Sequence, residues 1–94
     1  MDVFPKTNRI LGQKIESTTL EILESSLSAT YLSKYQKLPI VRKISEKNDL
    51  LKYLVRLAHE TDALQLKRYL ELEKQILEMG KMVGGWLNYL NNNQ

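Results

Sequence analysis

The residue types that most often carry enzyme chemistry are sparse in this sequence. It contains one histidine, His59, and no cysteine, so it offers neither a cysteine–histidine pair nor the spacing of a zinc site. Its acidic residues are spread at helical spacing among basic ones, which is typical of a solvated, salt-bridged surface. They include Glu16, Glu21, Glu24, Glu71, Glu73 and Glu78. We therefore expect no catalytic site, no metal site and no cofactor.

The basic residues are the candidates for binding. Lys43 and Lys47 lie four residues apart, and Lys52 and Arg56 repeat that spacing, which predicts two adjacent rows of cations on one helix. Such rows can follow nucleic-acid phosphates, because counterion release supplies most of the sequence-independent affinity. The predicted nucleic-acid-binding residues are Arg9, Lys14, Lys34, Lys37, Arg42, Lys43, Lys47, Lys52 and Arg56. The alternative is a solubilising surface with no ligand.

The distribution of charge favours the binding interpretation. The formal net charge is only +3, but between Lys34 and Arg56 seven basic residues stand against two acidic ones. From residue 57 to the end, four basic residues stand against five acidic ones. An asymmetric basic surface is typical of a protein that meets an anionic partner.

Glycines near the end of the chain form a second candidate surface. Gly80 and Gly84 lie four residues apart, so a neighbouring helix could pack closely there, with Gly85 and Trp86 beside them. We predict that these four residues form a helix-packing interface. The alternative is that Gly84 and Gly85 mark a kink or a helix end and that Trp86 fills the core. No phosphate loop is expected, because the preceding strand, lysine and hydroxyl of such a loop are missing.

Length and composition limit the elements that can position these residues. Ninety-four residues, with 43% apolar residues and two prolines, predict a single domain over residues 1–94. No run of about 18 apolar residues is present, so we expect no membrane span. The absence of cysteine and of a secretory signal predicts a cytoplasmic protein.

Apolar residues recur at intervals of three and four, which predicts helices over approximately 8–35, 39–60 and 64–90. No useful stretch alternates with period two, and the turns are short. The predicted fold is therefore all-α, an antiparallel up-and-down helical bundle. Asn48 interrupts the apolar face of the second helix. We interpret it as a polar contact at an interface or a solvent-reachable edge, the alternative being a buried amide paired with a neighbouring backbone.

Turn and capping residues set these predicted boundaries. Thr7 or Asn8 is expected to cap the first helix, since their side chains can accept a hydrogen bond from an unpaired N–H. Pro39 is expected to open the second helix, because proline fits the first helical position. Thr61 or Asp62 is expected to cap the third helix.

Three short signatures resemble a known family by their joint order. They are Phe4-Pro5-Lys6-Thr7-Asn8-Arg9 leading into Leu11-Gly12, Leu38-Pro39, and Gly80 followed by Gly84-Gly85-Trp86. Their order and spacing resemble the accessory variability determinant family of diversity-generating retroelements, which is related to the protein encoded in intervening sequences of bacterial 23S rRNA genes. The resemblance covers most of residues 4–90.

The resemblance implies a four-helix-bundle protomer in a homopentamer that associates with a reverse transcriptase and binds RNA or DNA during mutagenic copying. It implies that the residues facing the nucleic acid or polymerase are Arg9, Arg42, Lys43, Lys47, Lys52 and Arg56. The family has a full helix before its Phe-Pro segment, whereas only Met1-Asp2-Val3 precede it here. We therefore expect the first helix of the family to be missing and an apolar groove to be exposed.

Two hypotheses of function follow. The preferred one is a non-enzymatic accessory protein that binds a reverse transcriptase and structured RNA or DNA through a basic surface. The alternative is a helical oligomerisation or protein-interaction module that docks a partner through Gly80, Gly84 and Trp86 and has no nucleic-acid role.

Overall fold

The computed structural model describes residues 3–92, with the side chains of residues 9–91. It consists of three α-helices: α1 (Val3–Ala29), α2 (Lys34–Glu60) and α3 (Leu66–Asn92). No strand occurs in this range, so the predicted all-α class is confirmed. None of these helices combines the length and apolarity that crossing a membrane requires, as far as the described residues go.

The first helix begins earlier than the sequence predicted. α1 starts at Val3, so residues 7 and 8 lie inside it and not ahead of it. Pro5 is the third residue of this helix. Proline is accepted there because the first N–H groups of a helix have no intrahelical partner. The side chains of Thr7 and Asn8, the predicted caps, lie outside the described part of the chain.

The first turn also lies earlier than predicted. After Ala29 three successive N–H groups donate to carbonyls three residues back, which closes α1 in a tighter turn. The N–H of Ser33 then donates to Oε1 of Gln36 at 3.2 Å, one half of a capping box. This cap starts α2 at Lys34, so Pro39 lies inside the helix and does not open it. The predicted start of α2 at Pro39 was wrong because the residues that cap the helix, Ser33 and Gln36, come before the proline.

The second turn closes α2 with a Schellman motif. Asp62 has a left-handed backbone (φ 61°), and its N–H donates to the carbonyl of His59 at 3.1 Å. The N–H of Ala63 donates to the carbonyl of Ala58 at 2.8 Å. Thr61 and Asp62 therefore end α2, whereas the sequence predicted one of them as the cap of the third helix. The third helix accordingly begins at Leu66 and not near residue 64.

α2 is the central helix of the fold. α1 and α3 each pack against α2, but in the described residues no Cα atom of α1 lies within 8 Å of one of α3. The buried face of α2 recurs at three- and four-residue intervals and supplies much of the core. It consists of Leu38, Val41, Ile44, Asn48, Leu51, Val55 and Ala58. The molecule is long and thin, 55 × 20 × 14 Å, with a groove between α1 and α3.

Candidate nucleic-acid interface

An ion pair joins the first two helices. Nζ of Lys47 on α2 lies 2.8 Å from Oε2 of Glu21 on α1. The hydrogen bond from Lys47, together with its charge, lowers the pKa of the Glu21 carboxyl. The charges of Lys14 and Lys43 lower this pKa further, while partial desolvation opposes the change. The charges of three cations from two helices therefore act on one carboxylate, and we call Lys14, Lys43 and Lys47 the α1–α2 basic cluster.

The basic cluster is open to ligands. Lys14 and Lys43 are exposed, and the side chains of Lys47 and Glu21 keep 29% and 43% of their accessible surface. Glu46 lies one helical turn from Lys43, but in the described part of the chain it forms no ion pair. The three positive charges of the cluster thus stand beside two carboxylates, the paired one of Glu21 and the unpaired one of Glu46. Such an arrangement can bind phosphate oxygens through charge-assisted hydrogen bonds.

Lys52 and Arg56 lie on the opposite side of α2. Nine residues separate Lys47 from Arg56, which is about two and a half helical turns. The pKa of Tyr69 on α3 is raised, chiefly by the 2.7 Å hydrogen bond that its hydroxyl donates to Glu73 and then by burial. Arg56 acts on the same hydroxyl and lowers this pKa, so Arg56 faces α3. The predicted adjacency of the two cation rows is therefore wrong, because a nine-residue offset turns the second row away from the first.

The other predicted cations lie in several parts of the surface. Nζ of Lys34 lies 5.0 Å from the ring centroid of Tyr89, so the start of α2 meets the end of α3. Lys37 is half-buried, whereas Arg9 and Arg42 are exposed. The charges of Lys14, Lys43 and Lys47 thus all act on Glu21, whereas no contact in the described residues joins the remaining predicted cations to that carboxylate.

The predicted glycine interface is only partly formed within the chain. A Cβ atom at Gly80 would lie 3.5 Å from Nδ2 of Asn48, whereas no atom of the described residues lies within 4 Å of the corresponding positions at Gly84 and Gly85. α3 continues through both glycines to Asn92, so they do not end the helix. Trp86 is half-buried and packs against the core.

Asn48 is a buried amide and not an exposed polar contact. Its side chain retains 6% of its accessible surface, and its Nδ2 donates to the carbonyl of Ile76 on α3 at 3.1 Å. The preferred interpretation of this residue was therefore wrong, and the alternative is confirmed. Pairing with a neighbouring backbone is how buried amides are normally satisfied.

An apolar groove of about 170 Å³ lies between α1 and α3, above the core face of α2. Its walls include Ile15, Ile22, Leu51, Leu72, Ile76 and Met79. On α1, Leu23 lines the groove, and Leu20, Leu23 and Leu27 are each more than half exposed. Its position is one that a further helix could occupy. In the described part of the chain no group of histidine, aspartate or glutamate residues is arranged to hold a metal ion.

Glu21 was missed as a member of the site. From the sequence it belonged to a solvated acidic face, because no periodic signal within α1 links it to Lys47. In a helical hairpin, residues at similar distances from the turn face one another. With the turn at residues 30–33, Glu21 lies nine residues before it and Lys47 fourteen residues after it, so this rule alone would not have paired them.

Comparisons with known proteins place the chain in a family. Searches of curated proteins and of solved structures found no match. A family model described as bAvd-like matches residues 1–90. That span contains the three signatures and the complete α1–α2 basic cluster. On this match over most of its length, the chain belongs to the bAvd-like family.

Proposed function

We propose that this chain is a non-enzymatic accessory protein that binds a reverse transcriptase and structured RNA or DNA, as in the mutagenic copying of a diversity-generating retroelement. The observation that carries the proposal is the match of residues 1–90 to the bAvd-like family. The α1–α2 basic cluster supplies a surface suited to the anionic partner. The family match supports the accessory role, and the cluster supports phosphate binding.

The proposal includes a particular architecture. Contacts between α2 and α3 run in opposite chain directions: Lys34 meets Tyr89, Asn48 meets Ile76, and His59 stacks on Tyr69 at 4.4 Å. This order supports an antiparallel, up-and-down bundle of the four-helix type. The groove between α1 and α3 would then be the fourth position. In the proposed homo-oligomer, a pentamer by family resemblance, a neighbouring subunit covers that groove.

The physical basis of nucleic-acid binding is electrostatic. Each phosphate contact by a lysine contributes about 0.7 to 0.9 to the slope of log affinity against log salt concentration. Three cluster lysines that contact phosphates together would give a slope of about −2 to −3. The Debye length of about 10 Å at 0.1 M salt means that Lys52 and Arg56, across α2, act largely independently of the cluster.

The test compares two double variants that change net charge equally. Lys43→Gln with Lys47→Gln removes two cluster cations, and Lys74→Gln with Lys81→Gln removes two exposed cations from α3. Fluorescence anisotropy with a labelled RNA hairpin is measured from low to moderate salt. We expect the cluster variant to lose roughly tenfold in affinity and over half of the salt slope, with a much smaller loss in the α3 variant. Equal losses in both variants would contradict the role of the cluster.

The polymerase part of the proposal needs its own measurement. Co-purification with the reverse transcriptase of a diversity-generating retroelement is compared for the natural chain and for a charge-reversal variant. The variant carries Lys43→Glu, Lys47→Glu, Lys52→Glu and Arg56→Glu. We expect reduced association with both the polymerase and RNA. Unchanged association with both would refute the accessory function through a basic surface.

The apolar groove supports a second candidate function, a helical oligomerisation or protein-interaction module. Leu20, Leu23 and Leu27 form an exposed apolar edge that a partner helix could cover. An apolar interface should be largely indifferent to salt, unlike phosphate binding. Light-scattering mass with and without structured RNA, at low and moderate salt, separates the two functions. A defined oligomer that gains RNA mass only at low salt supports the accessory protein; an oligomer that ignores RNA supports the second candidate.

A further inference from the structure

The carboxylate of Glu21 occupies the place in the basic cluster that suits a phosphate. Its Oε2 accepts a hydrogen bond from Nζ of Lys47 at 2.8 Å, the geometry expected between an ammonium group and an anionic oxygen. Lys14 and Lys43 also act on the same carboxylate. Glu21 is therefore in direct contact with Lys47, and the charges of Lys14 and Lys43 reach its carboxylate.

We propose that Glu21 is an internal competitor for the nucleic-acid phosphate: it pairs with Lys47 in the free protein and is displaced from Lys47 when a backbone phosphate binds the cluster. This inference rests on the proposed function and adds a regulatory element to the same surface. Glu21 makes binding weaker than the three cations alone would allow.

Displacement is physically accessible because the pair is partly exposed to water. The Glu21 side chain keeps 43% of its accessible surface, so its carboxylate can be hydrated when it leaves Lys47. Exposed ion pairs contribute little net stability, since desolvation and lost side-chain entropy offset their Coulomb energy. A phosphate that enters the cluster meets the repulsion of the carboxylate as well as the attraction of the lysines. Removing the negative charge should therefore strengthen binding.

Glu21→Gln is the variant that isolates this effect. Glutamine keeps the shape and a hydrogen-bond acceptor for Lys47 but removes the charge that competes with phosphate. The matched control is Glu78→Gln, an exposed residue on α3 that gives the same change in net charge. Both variants and the natural chain are titrated with the labelled RNA hairpin over the same range of salt. Thermal unfolding followed by circular dichroism shows whether each variant remains folded.

We expect Glu21→Gln to bind the hairpin about threefold to tenfold more tightly at low salt, with the gain shrinking as salt rises. Glu78→Gln should change affinity by less than about twofold, because it lies outside the cluster. Equal gains in both variants, or no gain in a folded Glu21→Gln, would overturn the competitor role.

A separate outcome distinguishes this inference from the proposed function. If the natural chain binds the hairpin through the cluster and Glu21→Gln binds no better, only the competitor role fails. If the natural chain and both variants fail to bind RNA at low salt, the nucleic-acid function fails and the competitor role fails with it. Weaker binding by a folded Glu21→Gln would assign Glu21 to positioning Lys47 and would also overturn competition.

Discussion

Asn48 and Gly80 meet across the contact between α2 and α3. Nδ2 of Asn48 lies 3.5 Å from the place where a Cβ atom on Gly80 would be. The same nitrogen donates to the carbonyl of Ile76, one helical turn before Gly80. The Asn48 amide thus reaches the α3 backbone beside Gly80, at ordinary van der Waals distance from the Cβ position there, which satisfies a polar group inside the core.

Replacing Asn48 by alanine should destabilise the fold. The variant loses the hydrogen bond to Ile76 and leaves a small cavity, so we expect the free energy of unfolding to fall by about 1–3 kcal/mol. Urea unfolding followed by circular dichroism measures this change. Asn88→Ala is the control. Asn88 is exposed on α3, so its replacement should change the free energy of unfolding by less than about 0.5 kcal/mol. Equal effects at the two positions would show that the buried amide has no special role.

Alanine substitutions at the α3 glycines should stabilise the helix. Gly84 has no neighbour within 4 Å in the described residues, so Gly84→Ala gains helix propensity of about 1 kcal/mol without a clash. Gly80→Ala places a methyl group at ordinary contact distance from Asn48 and should gain less. Thermal melts of both variants at low protein concentration test this order. A destabilised Gly84→Ala would indicate a close contact with another subunit.

Much of the fold was predictable from periodicity, whereas its boundaries were not. The three-and-four spacing around Ile44, Val55 and Ile76 identifies helices because their apolar faces must be buried. The preference of proline for the first helical position predicts that α2 starts at Pro39, whereas Ser33 and Gln36 form the actual cap. Cap strength depends on local hydrogen bonds that a proline rule does not capture.

The candidate site was predictable as a set of residue types but not as a geometry. The excess of lysine and arginine is visible in the sequence, and a helical wheel alone would have placed Lys47 and Arg56 on opposite sides of α2. The pairing of Lys47 with Glu21 depends on the packing of two helices. No periodic pattern within either helix contains that information.

Thr18 carries a buried hydroxyl whose removal should stabilise the protein. Thr18 is fully buried, and its Oγ1 has no hydrogen-bond partner among the described residues. A buried hydroxyl without a partner costs about 1–3 kcal/mol. Thr18→Val has nearly the same shape, so we expect a gain of about 1 kcal/mol in urea unfolding. Thr18→Ser, which keeps the hydroxyl, should not stabilise. A destabilised Thr18→Val would mean that the hydroxyl is satisfied in solution.

Asp62 is held in a left-handed conformation that glycine adopts more easily. Its φ of 61° closes the Schellman motif at the end of α2. We expect Asp62→Gly to raise the free energy of unfolding by about 0.5–1 kcal/mol, because glycine avoids the steric cost of a Cβ atom there. Asp62→Ala keeps that cost and should not stabilise. Thermal melts of the two variants distinguish them, and a stabilised alanine variant would refute the conformational explanation.

The Glu21–Lys47 pair should give the fold a stability component that acid removes. The pKa of Glu21 is lowered from its usual 4.5, chiefly by Lys47, so the folded state favours the ionised carboxylate. This contribution is therefore fully present above pH 4.5 and is lost as the pH falls through the lower folded-state pKa.

The difference in urea midpoint between the natural chain and Glu21→Gln should be constant near neutral pH and should shrink toward zero in that acid window. Glu78→Gln removes the same charge away from the α1–α2 contact and controls for the change in net charge. A Glu21→Gln difference that stayed constant through the acid window would show that the carboxylate charge does not stabilise the α1–α2 contact.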